Sequence, residues 1–286
     1  MKKIVILGAG TGGTIMANKL RKTLSKEEWE ITIVDKDKTH YYQPGFLFIP
    51  FGIYGKDDVI KPKANFIPSG VKLIFQEIDK IEPSNNKVLL GDGQILNYDY
   101  LIVATGTNID IDDTPGLNDK LWRKDIFDFY TLNGALELRK RLRDWEGGEL
   151  VVNIAEQPIK CPVAPLEFTF LADAYFTEIG IRDKVNITYA TPLPGAFTKP
   201  KASQMLGELL KEKNVNVVPD FYLEKVDNEN KKIVSYDERE IPFDVLSIIP
   251  VNSGSSIVER SDMGDDLNYI PTDKYTLKSK SHDNIF

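Results

Sequence analysis

Short apolar runs alternate with amphipathic helical patterns along most of the chain, and this alternation predicts an α/β fold. The first run, residues 3–7, is rich in β-branched side chains and leads through a glycine-rich turn into a helical pattern that continues to Leu24. A second strand is predicted over residues 29–34, with Asp35 at its end. Because a strand, a helix and a strand of this length make a right-handed crossover between parallel strands, we predict a parallel sheet.

The rest of the chain continues this order in two lobes. In the first lobe we predict a hairpin tip at residues 91–93 and strands at residues 71–75, 87–90 and 98–103, the last of them apolar on both faces like a central strand. In the second lobe the pattern predicts helices over residues 131–144, 166–179 and 201–213, strands over 150–154, 185–190 and 215–219, and a hairpin across 231–241. A last strand, residues 244–250, is predicted to return to the first lobe. The prediction is an α/β protein with two Rossmann-like dinucleotide-binding lobes on parallel sheets, formed by residues 1–106 with 245–286 and by residues 107–244.

Composition narrows the range of partners. The chain has 286 residues and a formal net charge of -7, which disfavours nucleic acid because phosphate contacts need a basic face. Its single cysteine excludes an intramolecular disulfide and a structural zinc site, and it suits a reducing, cytoplasmic compartment. No run approaches the roughly 18 apolar residues of a membrane span, so we expect no transmembrane segment and only peripheral membrane contact. No metal site is predicted.

The turn after the first strand carries the pattern Gly8-x-Gly10-x-x-Gly13, with Thr11 and Gly12 inside it. The first glycine permits the tight turn, the second lets the backbone approach a pyrophosphate, and the third packs the helix on the strand. Asp35 follows roughly 20 residues later at a strand end, where a carboxylate can accept both hydroxyls of a ribose. This pattern predicts a dinucleotide site but does not distinguish FAD from NAD.

The corresponding turn of the second lobe, residues 154–161, has no glycine, and the carboxylate of Glu156 would repel a pyrophosphate. The strand that follows ends at Thr191 without an acid for a ribose, so we predict no nicotinamide site here. Cys161 lies in this turn instead, beside Lys160 and just before a helix, where a thiolate is favoured. A reactive cysteine and a buried structural cysteine both remain open on the sequence alone.

Two other features lie near the first lobe. The aromatic run over residues 41–54 is interpreted either as a segment that covers the core or as a cover for a flavin. His40 and His282 are interpreted as loop or solvent histidines, so a Cys–His hydrolase is not predicted.

Four stretches together resemble the sulfide:quinone oxidoreductases and the related flavocytochrome c sulfide dehydrogenases: residues 4–13, 41–44, 100–106 and 160–165. The last is the most specific because it looks like the redox cysteine of that family followed by its Ala-Pro turn. The resemblance implies that FAD lies across the first lobe and that two cysteines form a disulfide that sulfide opens, with electrons passing through the flavin to a quinone. It gives Cys161 the role of one redox cysteine, and it implies cofactor-binding roles for Gly8, Gly10, Thr11, Gly12, Gly13, Asp35, Lys36, Gln43, Ile78, Ala104, Thr105 and Gly106.

The chain also departs from that family. Members with three cysteines have one in the segment matched by residues 130–135, where this chain has Tyr130. The sequence ends just before the expected second FAD signature and second redox cysteine, so we expect a C-terminally truncated form with impaired activity, cytoplasmic here and peripheral to the membrane at full length. We also expect self-association through the surface that the absent part would cover. The alternatives are an NAD(P)H:quinone dehydrogenase of the same architecture and an inactive, flavin-free fragment.

Overall fold

The computed structural model describes every residue, Met1–Phe286. The α-helices are α1 (Thr11–Thr23), α2 (Leu132–Arg143), α3 (Ala164–Glu178), α4 (Pro200–Glu212) and α5 (Ser256–Arg260). The strands are β1 (Lys2–Leu7), β2 (Trp29–Asp35), β3 (Thr39–Tyr41), β4 (Ile60–Pro62), β5 (Lys72–Phe75), β6 (Ile78–Glu82), β7 (Lys87–Leu90), β8 (Ile95–Asn97), β9 (Tyr100–Val103), β10 (Thr107–Ile109), β11 (Ile126–Phe127), β12 (Gly148–Ile154), β13 (Val185–Ala190), β14 (Val215–Val218), β15 (Leu223–Asp227), β16 (Lys232–Ser235), β17 (Glu240–Pro242), β18 (Val245–Ile249) and β19 (Asn252–Gly254). The predicted alternation of strands and helices is therefore present.

The chain divides into two compact units. The first comprises Met1–Tyr41, Ile60–Asn108 and Ser253–Phe286, and the second comprises Tyr42–Val59 and Ile109–Asn252. This division differs from the predicted lobes by two residues at the boundary after residue 106 and, more substantially, because residues 42–59 and residues 245–252 both belong to the second unit. The sequence pattern identified these segments as apolar but could not indicate the core against which each one packs.

The first unit is built on a parallel sheet in the order β5-β2-β1-β9. Its central strand β1 is fully buried from Ile4 to Leu7, as expected of a parallel strand covered on both faces. The last residues of the chain lie parallel to the outer side of β9, where the N–H of Leu101 donates to the carbonyl of Asn284 at 2.9 Å. The hairpin predicted at residues 91–93 joins β7 to β8.

The second unit is built on a parallel sheet in the order β11-β18-β12-β13-β14. The prediction that residues 244–250 return to the first lobe is wrong, because β18 lies between β11 and β12 and pairs with both. An antiparallel sheet, β15-β16-β17, packs its buried side chains with those of β12 and β18 in one apolar core. No helix in the structure combines the length and the apolar character needed to cross a membrane.

Candidate functional site

The glycine-rich turn between β1 and α1 is sterically tight at Gly8 and Gly13 and open at Gly10. Gly8 has a φ of +91°, and a Cβ there would lie 2.4 Å from the carbonyl oxygen of Ala104. A Cβ on Gly13 would lie 1.9 Å from the carbonyl oxygen of Gly8, so the helix can approach the strand only without a side chain. A Cβ on Gly10, in contrast, would meet no atom within 4 Å. The turn therefore exposes its backbone at Gly10, next to the N-terminus of α1.

Asp35 lies at the end of β2 and faces the same turn. Its Oδ2 accepts from the N–H of Ala9 at 2.7 Å and from Lys63 Nζ at 2.8 Å, and its Oδ1 accepts from the N–H of Asp37 at 2.9 Å. The Lys63 side chain is only 5% exposed, so the two charges form a largely buried ion pair. A carboxylate offers about four acceptor positions, and these three donors leave room for one further hydroxyl.

A cavity of about 130 Å³ opens at the carboxyl end of this sheet. The structure brings together five of the predicted cofactor-binding residues in its wall: Gly8, Asp35, Lys36, Ile78 and Thr105. The sequence pattern does not predict the other residues in the wall, which are Glu77, Ser255, Ser256, Ile257 and Arg260. The Arg260 guanidinium is fixed there by hydrogen bonds to the Ile78 carbonyl at 3.1 Å and to Ser256 Oγ at 2.9 Å.

The remaining predicted cofactor-binding residues lie outside this wall. Thr11 begins α1, and a Cβ on Gly12 would lie 3.8 Å from the Ala104 Cβ, so Gly12 and Ala104 are neighbours beside the turn. Gly106 has a φ of +73° and open space at its Cβ position. Gln43 belongs to the second unit, unlike all the others.

Cys161 is exposed and precedes α3, and its carbonyl accepts from the N–H of Ala164 at 3.0 Å. Its exposure excludes the alternative of a buried structural cysteine. The neighbouring Lys160 Nζ donates to Gln43 Oε1 at 3.2 Å. Burial lowers the pKa of Lys160, although Asp128 acts in the opposite direction. Within the second unit, the structure thus places Gln43 beside the residue that precedes Cys161.

The turn after β12 lines a larger cavity of about 530 Å³ at the carboxyl end of the second sheet. Its wall contains three carboxylates, those of Asp113, Glu156 and Glu224, together with the rings of Tyr222 and Tyr236. No lysine or arginine is among the residues that line it. A wall of this charge opposes a pyrophosphate, as expected from Glu156 in the sequence.

The aromatic run also belongs to the second unit from Tyr42 onward. The ring of Phe51 lies 4.9 Å from that of Phe168 and 5.8 Å from that of Tyr175, both on α3. The interpretation as a segment that covers a core is therefore confirmed for this part of the run. His282 lies in a loop as predicted, but the interpretation of His40 as a loop histidine is wrong, because it lies in β3 with its ring 4.5 Å from that of Phe66.

Residues 2–152 match the family described as Pyridine nucleotide-disulphide oxidoreductase. The chain belongs to this family. The match covers the whole glycine-rich turn, Asp35 and strand β9, and it ends within β12 of the second unit.

Individual relatives have names that give a more specific activity than the family description does. The chain is 28% identical over 289 residues to the mitochondrial sulfide:quinone oxidoreductase of Dictyostelium discoideum, and the match covers 99% of this chain and 64% of that protein. It is 32% identical over 144 residues to a type II NADH:quinone oxidoreductase of Staphylococcus haemolyticus, covering 50% of this chain and 34% of the relative. The fold is similar to that of the sulfide:quinone oxidoreductase of Aquifex aeolicus, with a TM-score of 0.86, 20% identity, and coverage of 100% of this chain and 67% of that one. The chain thus spans 64% of the length of the curated Dictyostelium relative.

Proteins of this family and its sulfide:quinone oxidoreductases bind FAD, so the predicted cofactor is confirmed at the level of the family. The first unit fits that group on steric grounds. The space beside Gly10 admits a pyrophosphate next to the N-terminus of α1, and Asp35 retains an acceptor position for a ribose hydroxyl. The roles of the individual residues remain predictions.

Proposed function

We propose that the protein oxidises sulfide through Cys161 and FAD and passes the electrons to a quinone. The observation that carries this proposal is the exposed Cys161 at the start of α3, in a turn whose counterpart in the first unit has the shape of a dinucleotide site. The similarity to sulfide:quinone oxidoreductases over 99% of the chain supports it. A quinone acceptor agrees with the names of both classes of relative.

Cys161 would carry the sulfur. Sulfide would attack a disulfide between Cys161 and a second thiol, so that one sulfur leaves as a thiolate and the sulfur of sulfide remains attached as a persulfide. The 286 residues contain no second cysteine, so the partner thiol has to be supplied by another molecule or another part of the protein. When the sulfur departs at the elemental level and Cys161 forms its disulfide with the second thiol again, two electrons are released, and FAD, when bound, would accept them.

The remaining residues around Cys161 would orient it. Lys160 precedes Cys161 in the chain, and its Nζ donates to Gln43 Oε1 at 3.2 Å. The thiolate is the form of a cysteine that attacks and leaves in disulfide exchange. Gln43 is predicted from the sequence as a cofactor-binding residue. We propose that it also positions the side chain of Lys160.

A dehydrogenase that takes electrons from a nicotinamide cofactor is disfavoured by the second cavity. Such a cofactor would place a pyrophosphate at the carboxyl end of the second sheet, where Glu156 and two other carboxylates line the wall. The similarity to type II NADH:quinone oxidoreductases covers only half of this chain. Oxidation of a nicotinamide cofactor is therefore the alternative activity that the experiments below would reveal.

The test uses the protein loaded with FAD under anaerobic conditions, with a small disulfide such as cystine to supply the second sulfur. Sulfide should bleach the flavin absorbance of the unmodified protein, and Cys161→Ser should abolish the bleaching while retaining the flavin spectrum. Wild-type protein blocked with iodoacetamide serves as the matched control and should behave like the variant. Bleaching at an unchanged rate in Cys161→Ser would show that this thiol is not the reactive sulfur.

A further inference from the structure

The main chain at Cys161 has an unusual conformation. Its φ is +48°, in the left-handed region that residues with a Cβ adopt only at a cost in free energy. Such a conformation persists only where surrounding contacts enforce it. The contacts of residues 158–161 therefore indicate what keeps the thiol where it is.

One set of contacts comes from Tyr130. Its hydroxyl donates to the Lys160 carbonyl at 2.7 Å and to the Cys161 carbonyl at 3.1 Å. The same hydroxyl proton is therefore shared between the carbonyl before Cys161 and the carbonyl of Cys161 itself. A second set comes from Asn252, whose Oδ1 accepts from the N–H of Lys160 at 2.8 Å and whose N–H donates to the Pro158 carbonyl at 3.1 Å. Of Tyr130 and Asn252, only Tyr130 bonds to Cys161 itself, whose carbonyl also accepts from the N–H of Ala164 at 3.0 Å.

Tyr130 is itself rigidly placed. Its N–H and that of Thr131 donate to Oδ1 of Asp128 at 2.8 and 2.7 Å, and this fully buried carboxylate also pairs with Arg123 Nη2 at 2.6 Å. Thr131 then caps α2 by accepting from the N–H of Gly134 at 3.0 Å. The phenol is thus anchored at the junction of β11 and α2, from which it reaches 31 residues along the chain to Cys161.

We propose that Tyr130 is a positioning residue for Cys161, holding the Lys160 and Cys161 carbonyls so that the exposed thiol keeps a single orientation. This inference rests on the proposed function, in which Cys161 is the reactive sulfur. Burial, followed by the proximity of Cys161, raises the pKa of Tyr130 well above its ordinary value. The hydroxyl therefore remains a donor throughout the pH range in which a thiol reacts.

The single cysteine makes a direct test feasible, because a thiol-specific nitroxide spin label attaches only at Cys161. Tyr130→Phe keeps the ring and removes the donor. Loss of one ordinary hydrogen bond corresponds to about a fivefold change in an equilibrium, so we expect the ratio of mobile to immobile label in the electron paramagnetic resonance spectrum to rise about fivefold. The matched control is Tyr98→Phe, which removes a buried hydroxyl that has no hydrogen-bond partner in the first unit and should leave the ratio unchanged.

An unchanged spectrum in Tyr130→Phe, or an equal rise in both variants, would overturn the proposal. Should Tyr130→Phe fail to fold, nuclear magnetic resonance of the unmodified protein decides: a slowly exchanging Tyr130 hydroxyl proton, close to the α proton of Cys161, is expected, and its absence overturns the proposal. These measurements need neither sulfide nor FAD. A failure of sulfide oxidation by Cys161 would therefore refute the proposed function and leave the result on Tyr130 standing.

Discussion

Each parallel sheet of this protein has a strand, a turn and a helix in the same order, yet the two turns differ in nearly every residue that could face a ligand. In the first unit, Gly8 and Gly13 allow the backbone to fold tightly, and open space lies beside Gly10. In the second unit, the turn contains Glu156 and ends at Cys161, an exposed thiol held in a left-handed conformation. We propose that the same arrangement of strand and helix serves to bind a phosphate in one unit and to carry out sulfur chemistry in the other.

The largest expected effect comes from closing the first turn. A methyl group on Gly13 would overlap the Gly8 carbonyl, so Gly13→Ala should destabilise the first unit by more than about 5 kcal/mol and abolish FAD binding. Gly10→Ala is the matched control, because its methyl group meets no protein atom; it should melt normally but bind FAD more weakly. Thermal denaturation and the flavin absorbance retained after desalting measure both effects. Equal melting temperatures in the two variants would refute the steric argument.

A second prediction concerns the ion pair beside the first turn. Lys63→Met removes the cation that neutralises Asp35 and leaves a carboxylate that is only 15% exposed without its counterion. We expect the free energy of unfolding of the first unit to fall by about 3 kcal/mol in urea denaturation. Lys61→Met changes an exposed lysine in the neighbouring strand β4 and should have no measurable effect. A loss in Lys63→Met no larger than that in Lys61→Met would contradict this account of the pair.

The smallest of these effects concerns Asp173 on α3, the helix that follows Cys161. Burial alone would raise the pKa of Asp173, but hydrogen bonds from Lys213 and Arg182, each at 2.7 Å, lower it below the ordinary 3.8. A carboxyl group whose pKa is lower in the folded than in the unfolded protein adds stability above about pH 4, and this stability is lost as the pH falls through the folded-state pKa. Asp173→Asn should cost about 2 kcal/mol at pH 7 and progressively less in acid.

Urea denaturation as a function of pH measures this difference. The Asp173→Asn curve should converge with that of the wild type at low pH. Asp183→Asn, an exposed acid in the turn that follows α3, is the control and should run parallel to the wild type throughout. A gap between Asp173→Asn and the wild type that is independent of pH would mean that the carboxylate charge is not what stabilises this cluster.

The parts of this structure that depend on local sequence could be predicted. Neighbouring residues in the sequence are enough to predict the glycine-rich turn and the hairpin at residues 91–93. They are also enough to predict that Glu156 disfavours a bound phosphate. Contacts between distant segments could not be predicted. The sequence pattern predicts the wrong sheet for strand β18, because apolar strands of equal length can pair in either core and only tertiary packing decides between them.

Two residues of the candidate sites show the same limit. The role of Lys63 cannot be predicted from the sequence, because nothing in the sequence indicates that this lysine is buried beside Asp35. The sequence distinguishes Tyr130 only by its position, which matches that of a cysteine in some members of the family that the chain resembles. Its hydrogen bonds to Lys160 and Cys161 span about 30 residues of sequence. In both cases the pairing depends on which elements the fold places side by side.

The difference between the two turns is tested most directly by a single anaerobic comparison. The FAD-loaded protein is mixed with sulfide and a small disulfide, or with NADH, and the loss of flavin absorbance is followed over time. A reactive Cys161 and an acidic second cavity predict that sulfide bleaches the flavin and that NADH does not. Rapid bleaching by NADH, with none by sulfide, would contradict this account.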